Sequence, residues 1–143
     1  MNQHYCTEIH IPFQHVDAAG VLFFSRLFEQ THDVYEGFMA AIGWPLPRVL
    51  KDGKLLLPIV HAEADYGRPM RYGDRFEARI TVPRIGRGSW TSRCRFLDAS
   101  GSVAGEVRVV HAVLGPQASP RPLPQALREA LSPYVEGDAS IRV

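Results

Sequence analysis

From Tyr5 to Phe13 apolar and polar positions alternate, with Ile9, Ile11 and Phe13 on one face and Glu8 and His10 on the other, the period of a half-buried strand. The alternation stops at Gln14. At 100° per residue, the stretch from Leu22 to Ile42 gathers Phe23, Phe24, Leu27, Phe28, Val34, Tyr35, Phe38, Met39, Ala41 and Ile42 on one side of a helix. Arg26, Glu29, Gln30, His32, Asp33 and Glu36 fall on the other. Gly43 with Pro45 beyond it is a stop signal, so the pattern predicts one helix over Leu22 to Ile42, roughly 30 Å long at 1.5 Å per residue.

After a polar loop around Lys51-Asp52-Gly53-Lys54, the stretch Leu55 to Tyr66 predicts a second strand, with Val60, Ala62, Ala64 and Tyr66 opposite Ile59, His61, Glu63 and Asp65. Gly67-Arg68-Pro69 interrupts it and Gly73-Asp74 marks a turn. Phe76, Ala78, Ile80 and Val82 then form the buried side of a third strand. Two further turns, at Gly86-Arg87-Gly88 and Asp98-Ala99-Ser100-Gly101, lead into Ser89 to Leu97, with Trp90, Cys94 and Phe96 inward, and into Val103 to Leu114. The last three strands are expected as a meander. Within residues 116–143 a proline-rich loop precedes Leu123, Leu127, Leu131 and Tyr134, the pattern of a short docked helix. One strand, one long helix and four more strands make an α+β domain, whose economical form is a five-stranded antiparallel sheet curled around the helix.

Composition narrows the class. A chain of 143 residues, 45% hydrophobic and 22% charged, is expected as a single soluble domain over residues 1–143. A net charge of +1 excludes nucleic-acid binding through bulk charge, so an anionic partner must be met locally. Cys6 and Cys94 fall in strand-like stretches and read as two reduced, packed thiols. No apolar run reaches membrane-spanning length and Met1-Asn2-Gln3-His4 begins no signal peptide, which predicts a cytoplasmic protein without a membrane partner.

The candidate chemistry sits where the first strand gives way to the helix. Asp17 lies just upstream of helix N–H groups that have no partner inside the helix and sit at its positive end. A carboxylate beside such donors suits acyl transfer, in which negative charge builds on a carbonyl oxygen. The plainer reading makes Asp17 a helix cap and Gly20 the residue of a tight turn.

The string Phe13-Gln14-His15-Val16-Asp17-Ala18-Ala19-Gly20-Val21-Leu22-Phe23-Phe24, together with the order of elements, resembles the hotdog-fold acyl-CoA thioesterases of the 4-hydroxybenzoyl-CoA thioesterase type. The likeness continues through Leu57-Pro58-Ile59-Val60-His61-Ala62 and Arg68-Pro69-Met70-Arg71-Tyr72-Gly73-Asp74-Arg75, and within that group it is similar to the 1,4-dihydroxy-2-naphthoyl-CoA thioesterases. The resemblance implies hydrolysis of an acyl-CoA, with coenzyme A as part of the substrate and no separate cofactor. It implies Asp17 as nucleophile or general base, the backbone N–H near Phe24 as donor to the thioester oxygen, and Gly20 as the point of close backbone approach. It aligns His61 with a position lining the acyl site, where the alternative is a strand histidine satisfied by a neighbour. Val21, Phe28, His32 and Trp90 are then expected to line the acyl group, and Arg84 and Arg87, with Arg68, Arg71 and Arg93, to supply contacts to coenzyme A phosphates. The family's pocket commonly forms between subunits, which implies a homodimer or homotetramer.

Other readings remain: a thioesterase for short aliphatic esters, or a domain that binds acyl-CoA or acyl-carrier protein without hydrolysing it. His61, Glu63 and Asp65 alternate on one strand face, but three ligands on one strand splay apart, and no metal is expected.

Overall fold

The computed structural model describes residues 3–137, so the two ends of the expected unit, residues 1–2 and 138–143, lie outside the described residues. Strand β1 (Tyr5–His10) is followed by a single 3-10 turn at Phe13–His15, helix α1 (Arg26–Ala41), a short helix α2 (Leu46–Asp52) and strand β2 (Ile59–Tyr66). Strands β3 (Arg75–Ile85), β4 (Ser89–Leu97) and β5 (Val103–Ala112) form the expected meander, and helix α3 (Gln125–Leu131) lies in the tail. All five strands join one antiparallel sheet in the order β1-β3-β4-β5-β2, which leaves β1 and β2 as its edges.

The three central strands alternate as a sheet with one covered face should. Phe76, Ala78, Ile80 and Val82 on β3, Trp90, Cys94 and Phe96 on β4, and Val107, Val109 and Val113 along and just beyond β5 are buried on the same side. Against them α1 presents Leu27, Val34, Tyr35, Phe38 and Met39 at helical spacing. Each such side chain contributes on the order of 1.5–3 kcal/mol of burial. The tail closes one end: Leu123, Leu127 and Leu131 are buried, Tyr134 meets Phe38 edge-on at 5.1 Å, and Arg128 Nη2 donates to the Gly86 carbonyl at 2.8 Å.

Several expectations are corrected. The helix begins at Arg26, because Val21 and Leu22 are held in extended backbone bridges to Arg71 and Val16, and the Leu22 N–H donates to the Met70 carbonyl at 2.7 Å. Phe23 and Phe24 therefore leave the helix's apolar face and are exposed, and Phe13, expected on the buried side of the first strand, is 73% exposed in the 3-10 turn. A helix that was not expected, α2, precedes the polar loop and takes in its Lys51 and Asp52, with Pro45 and Pro47 at its entry and Gly53 at φ 65° as its C-cap. Cys6 is exposed rather than packed; only Cys94 is buried, and burial pushes its thiol up and out of the reactive range.

Candidate active site

Asp17 opens a tight loop. Its N–H donates to the Val21 carbonyl at 2.9 Å, the Gly20 N–H donates to the Asp17 carbonyl at 2.9 Å, and its carboxylate Oδ1 accepts from the N–H groups of Ala19 at 2.8 Å and Val21 at 3.2 Å. A short carboxylate reaches its own backbone two residues on, which is why aspartate suits this turn. Gly20 closes it at φ 77°, a conformation an L side chain rarely adopts, and its carbonyl accepts from the Tyr72 N–H at 2.9 Å. The helix-cap reading of Asp17 is thereby replaced, since the N-cap of α1 is Ser25. Oδ1 is tied to the loop; Oδ2 has no protein partner among the described residues, and the side chain is exposed.

The segment between Asp17 and α1 is pinned at several points. The Phe23 N–H donates to the His15 carbonyl at 2.9 Å, buried Gln30 meets His15 Nδ1 at 3.0 Å, and the Phe24 carbonyl accepts from the Tyr66 hydroxyl at 2.5 Å. Among the described residues the Phe24 N–H donates to no backbone acceptor. It stands at the entry to α1, where the helix dipole favours negative charge. The loop thus presents a carboxylate oxygen and an N–H without a backbone acceptor, groups of the kind that can act as nucleophile or base and as oxyanion donor.

Two hollows lie along the segment that runs from this loop into α1; only the second is lined by the loop's own residues. One, of about 320 Å³, lies between the first turns of α1 and the sheet, walled by Phe28, His32, Tyr35, Ile59, Ala62 and His111. The other, of about 360 Å³, is lined by Val21, Leu22, Tyr66, Arg68, Pro69 and Met70. A larger depression of about 640 Å³ lies between Trp44, Val49, Leu55 and the tail around Leu123, past the C-terminal end of α1. It is a helix length, roughly 24 Å, from the Asp17 loop, so size alone does not mark the site.

The sequence matches the family model of the thioesterase-like superfamily over residues 11–131. The chain belongs to the thioesterase-like superfamily. It is 38% identical to a 1,4-dihydroxy-2-naphthoyl-CoA hydrolase from Synechococcus elongatus over 85% of this chain and 90% of the relative, and 31% identical to one from Rippkaea orientalis over 80% and 86%. The fold is also that of a 1,4-dihydroxy-2-naphthoyl-CoA thioesterase from Synechocystis, with a TM-score of 0.83, 23% identity, and 91% of this chain and 96% of that one covered. The protein is a hotdog-fold thioesterase.

Not every expected residue reaches the Asp17 loop in this thioesterase. Val21 lines one of the two hollows, and Phe28 and His32 line the other. Trp90 does not: it is fully buried behind His111, with ring centroids 4.2 Å apart. His61 is exposed on β2 and bonds Glu63 Oε1 at 2.9 Å, a bond that holds the Glu63 carboxyl below its ordinary range. Arg84 and Arg87 are exposed at the β3–β4 hairpin, whereas the residues just before β3, Met70 to Asp74, are the ones bonded to the loop. The length of β3 separates them, on the order of 30 Å. Arg68 lines the hollow beside Val21 and pairs with Asp98.

Tyr35, Ser92 and His111 were not expected at the site. The His111 ring, 1% exposed, is stacked between Trp90 at 4.2 Å and Tyr35 at 4.6 Å, and Tyr35 in turn stacks on His32 at 5.6 Å. Its Nε2 lies 3.1 Å from Ser92 Oγ, and burial, with a smaller contribution from nearby His32, pulls its pKa down to about 3, so the ring is neutral. The available signal was a histidine in the buried phase of β5, in line with Val107 and Val109.

As to metals, His4, Cys6 and Glu77 bring donor atoms within 4.8 Å of one another on β1, its approach and β3, but Glu77 is also paired with Arg79 at 2.5 Å. No described helix is long and apolar enough to cross a membrane.

Proposed function

We propose that this thioesterase hydrolyses an aromatic acyl-CoA, of the hydroxybenzoyl or 1,4-dihydroxy-2-naphthoyl kind, to the free acid and coenzyme A. It acts as one hotdog unit over residues 1–143 of the 4-hydroxybenzoyl-CoA thioesterase type, in the cytoplasm, with no resident cofactor or metal. The observation that carries the reading is the Asp17 carboxylate, anchored through one oxygen and open at the other, in a loop whose Val21 lines one hollow and which leads into the first turns of α1, where Phe28, His32 and Tyr35 wall another. Aromatic walls fit an aromatic guest better than a two-carbon chain. The substrates named for the relatives from Synechococcus and Rippkaea favour a bicyclic ring.

In this scheme the Asp17 oxygen attacks the thioester carbon, or takes a proton from a water that attacks it. Either way a tetrahedral oxyanion forms and accepts a hydrogen bond from the Phe24 N–H, and its collapse expels the coenzyme A thiolate. If Asp17 attacks directly, the resulting anhydride is then hydrolysed by water. A thioester is already activated, so one carboxylate and one oriented dipole suffice. Gly20 keeps the loop free of a Cβ where the substrate approaches, and Val21, Phe28 and His32 bound the acyl group. Trp90 supports that wall from behind. His61, on exposed β2, would reach a thioester only across a subunit boundary, as would Arg84 and Arg87.

A homodimer or homotetramer is part of the proposal. The free edge of β2 exposes Ile59, Val60 and Tyr66, and Phe13, Phe23, Phe24 and Tyr72 form an exposed aromatic collar around the Asp17 loop. Such an edge and patch are what a second subunit would cover. Sedimentation at micromolar concentration should give at least a dimer; a fully active monomer would refute that part.

The deciding experiment measures thiol release from benzoyl, hydroxylated aryl, phenylacetyl and aliphatic CoA esters. Aryl esters should lead. An optimum at short aliphatic esters would assign the enzyme to those instead, and binding without thiol release would make it a carrier domain.

A further inference from the structure

The proposed oxyanion donor, the Phe24 N–H, belongs to a peptide that no regular element holds. It lies between the extended bridges of Val21 and Leu22 and the first residue of α1, Arg26. A donor lowers the barrier most when it is already aimed before charge develops, so whatever fixes this peptide bears on the rate. Three bonds do so. Before it the Phe23 N–H donates to the His15 carbonyl at 2.9 Å, within it the Phe23 carbonyl accepts from the Arg26 N–H at 2.9 Å, and just after it the Phe24 carbonyl accepts from the Tyr66 hydroxyl at 2.5 Å. The first two are backbone bonds, which do not depend on side-chain identity. Among the described residues the third alone comes from a side chain, 42 positions along the chain.

Tyr66 stands on a firm base. It is the last residue of β2 and is paired with Gly105 on β5, and the Gly67 N–H that follows donates to the Ala104 carbonyl at 2.9 Å. Gly67 packs so closely on β5 that an added Cβ would come within 2.9 Å of the Val103 carbonyl oxygen. The bond therefore ties a loop peptide to the sheet, the kind of rigid support that holds a site in shape. Without it the Phe24 carbonyl keeps only the Leu27 N–H at 3.4 Å, a long bond of the first helical turn. A tyrosine hydroxyl carries one proton, and here the carbonyl takes it, so Tyr66 has none left to give to an oxyanion directly.

We propose that Tyr66 is a positioning residue of the thioesterase reaction: its hydroxyl, borne by the sheet, holds the Phe24 carbonyl and thereby aims the Phe24 N–H at the oxyanion. This rests on the reading of Asp17 and Phe24 given above and adds to it the side chain that orients the donor. Tyr66 also lines the hollow that Val21 lines, so a grip on the donor has to be told apart from a contact with the substrate.

Tyr66→Phe deletes the hydroxyl and keeps the ring. Its kcat on the best aryl ester should fall roughly 10-fold, short of the roughly 10²–10³-fold cost of losing an oxyanion donor outright. KM, and the affinity for S-benzyl coenzyme A, a thioether with no carbonyl to polarise, should stay within about twofold. In protein carrying isotope-labelled phenylalanine, the Phe24 amide resonance should shift or broaden selectively among the seven phenylalanines. The thermal midpoint should hardly change, because the side chain is half exposed. Unchanged kcat, with Asp17→Asn inactive, would overturn the role of Tyr66 and leave the Asp17 site standing. A loss shared by KM and by thioether affinity would make Tyr66 a substrate contact, and a lower kcat with the Phe24 resonance unmoved would put its effect elsewhere; either would overturn the proposal. An active Asp17→Asn enzyme would overturn the site itself and this proposal with it.

Discussion

Asp17→Asn separates chemistry from structure better than any other change at the site. Oδ1 accepts two loop N–H groups, at 2.8 and 3.2 Å, and an amide oxygen in the same place accepts both. Oδ2, which becomes the NH₂, has no protein partner to lose among the described residues. Since the side chain is exposed, what changes is a charged acceptor for a neutral one at the surface, so stability should move by less than about 1 kcal/mol. Asp17→Ala would remove both loop bonds and leave the turn without its anchor. The reaction should respond quite differently. An amide neither attacks a thioester nor takes a proton from water, and loss of such a group lowers rate by about 10²–10⁴-fold. The loss should appear in kcat with KM little changed, because binding rests on contacts that Asn preserves. The assay is thiol release from the best aryl ester, alongside thermal unfolding of both proteins. A folded Asp17→Asn enzyme within about threefold of wild type would refute the role of Asp17 and return the loop to a purely structural part.

Acidification should weaken the fold through His111. Its pKa is near 3 when folded against an ordinary value of 6.5, so the unfolded chain takes up a proton that the native ring refuses. The stability is complete above about pH 6.5 and falls by about 1.4 kcal/mol per pH unit as pH drops from there toward 3. Urea midpoints of wild type and His111→Gln between pH 7 and 4 should converge with falling pH; parallel curves would contradict this. Leu27→Ala, at a fully buried position of α1, should cost about 2–5 kcal/mol in chemical unfolding. Gly37 lies inside α1 with the Tyr5 hydroxyl where a Cβ would go. Gly37→Ala should therefore stabilise by about 1 kcal/mol only in a Tyr5→Phe background. Equal gains in both backgrounds would show that Tyr5 is no obstacle.

Much of this protein can be read from local pattern. The alternation on β3, β4 and β5, the helical spacing of Leu27, Val34, Tyr35 and Phe38, and the glycine-bearing turns are set by side-chain periodicity and by residues that permit positive φ. Each acts within a few positions of itself. The Asp17–Gly20 turn belongs to the same class, because an aspartate and a glycine three residues apart can close it with their own backbone. The periodicity misled where partners distant in sequence took over. Val21 and Leu22 would continue the apolar stripe of α1, but Met70 and Arg71 capture their backbone and the helix starts at Arg26.

The walls of the hollow between α1 and the sheet lay further still beyond local reading. Tyr35, Ser92 and His111 come from a helix and two strands, and only the register that sets Trp90 opposite His111 and the packing of α1 across both strands bring them to one place. Likewise the distance of Arg84 and Arg87 from Asp17 follows from which end of β3 meets the loop. By itself the sequence determined the elements and the turn that carries the carboxylate, since those depend on neighbours along the chain. The tertiary structure alone decided which side chains share the hollow, because contact and burial belong to the packed chain as a whole.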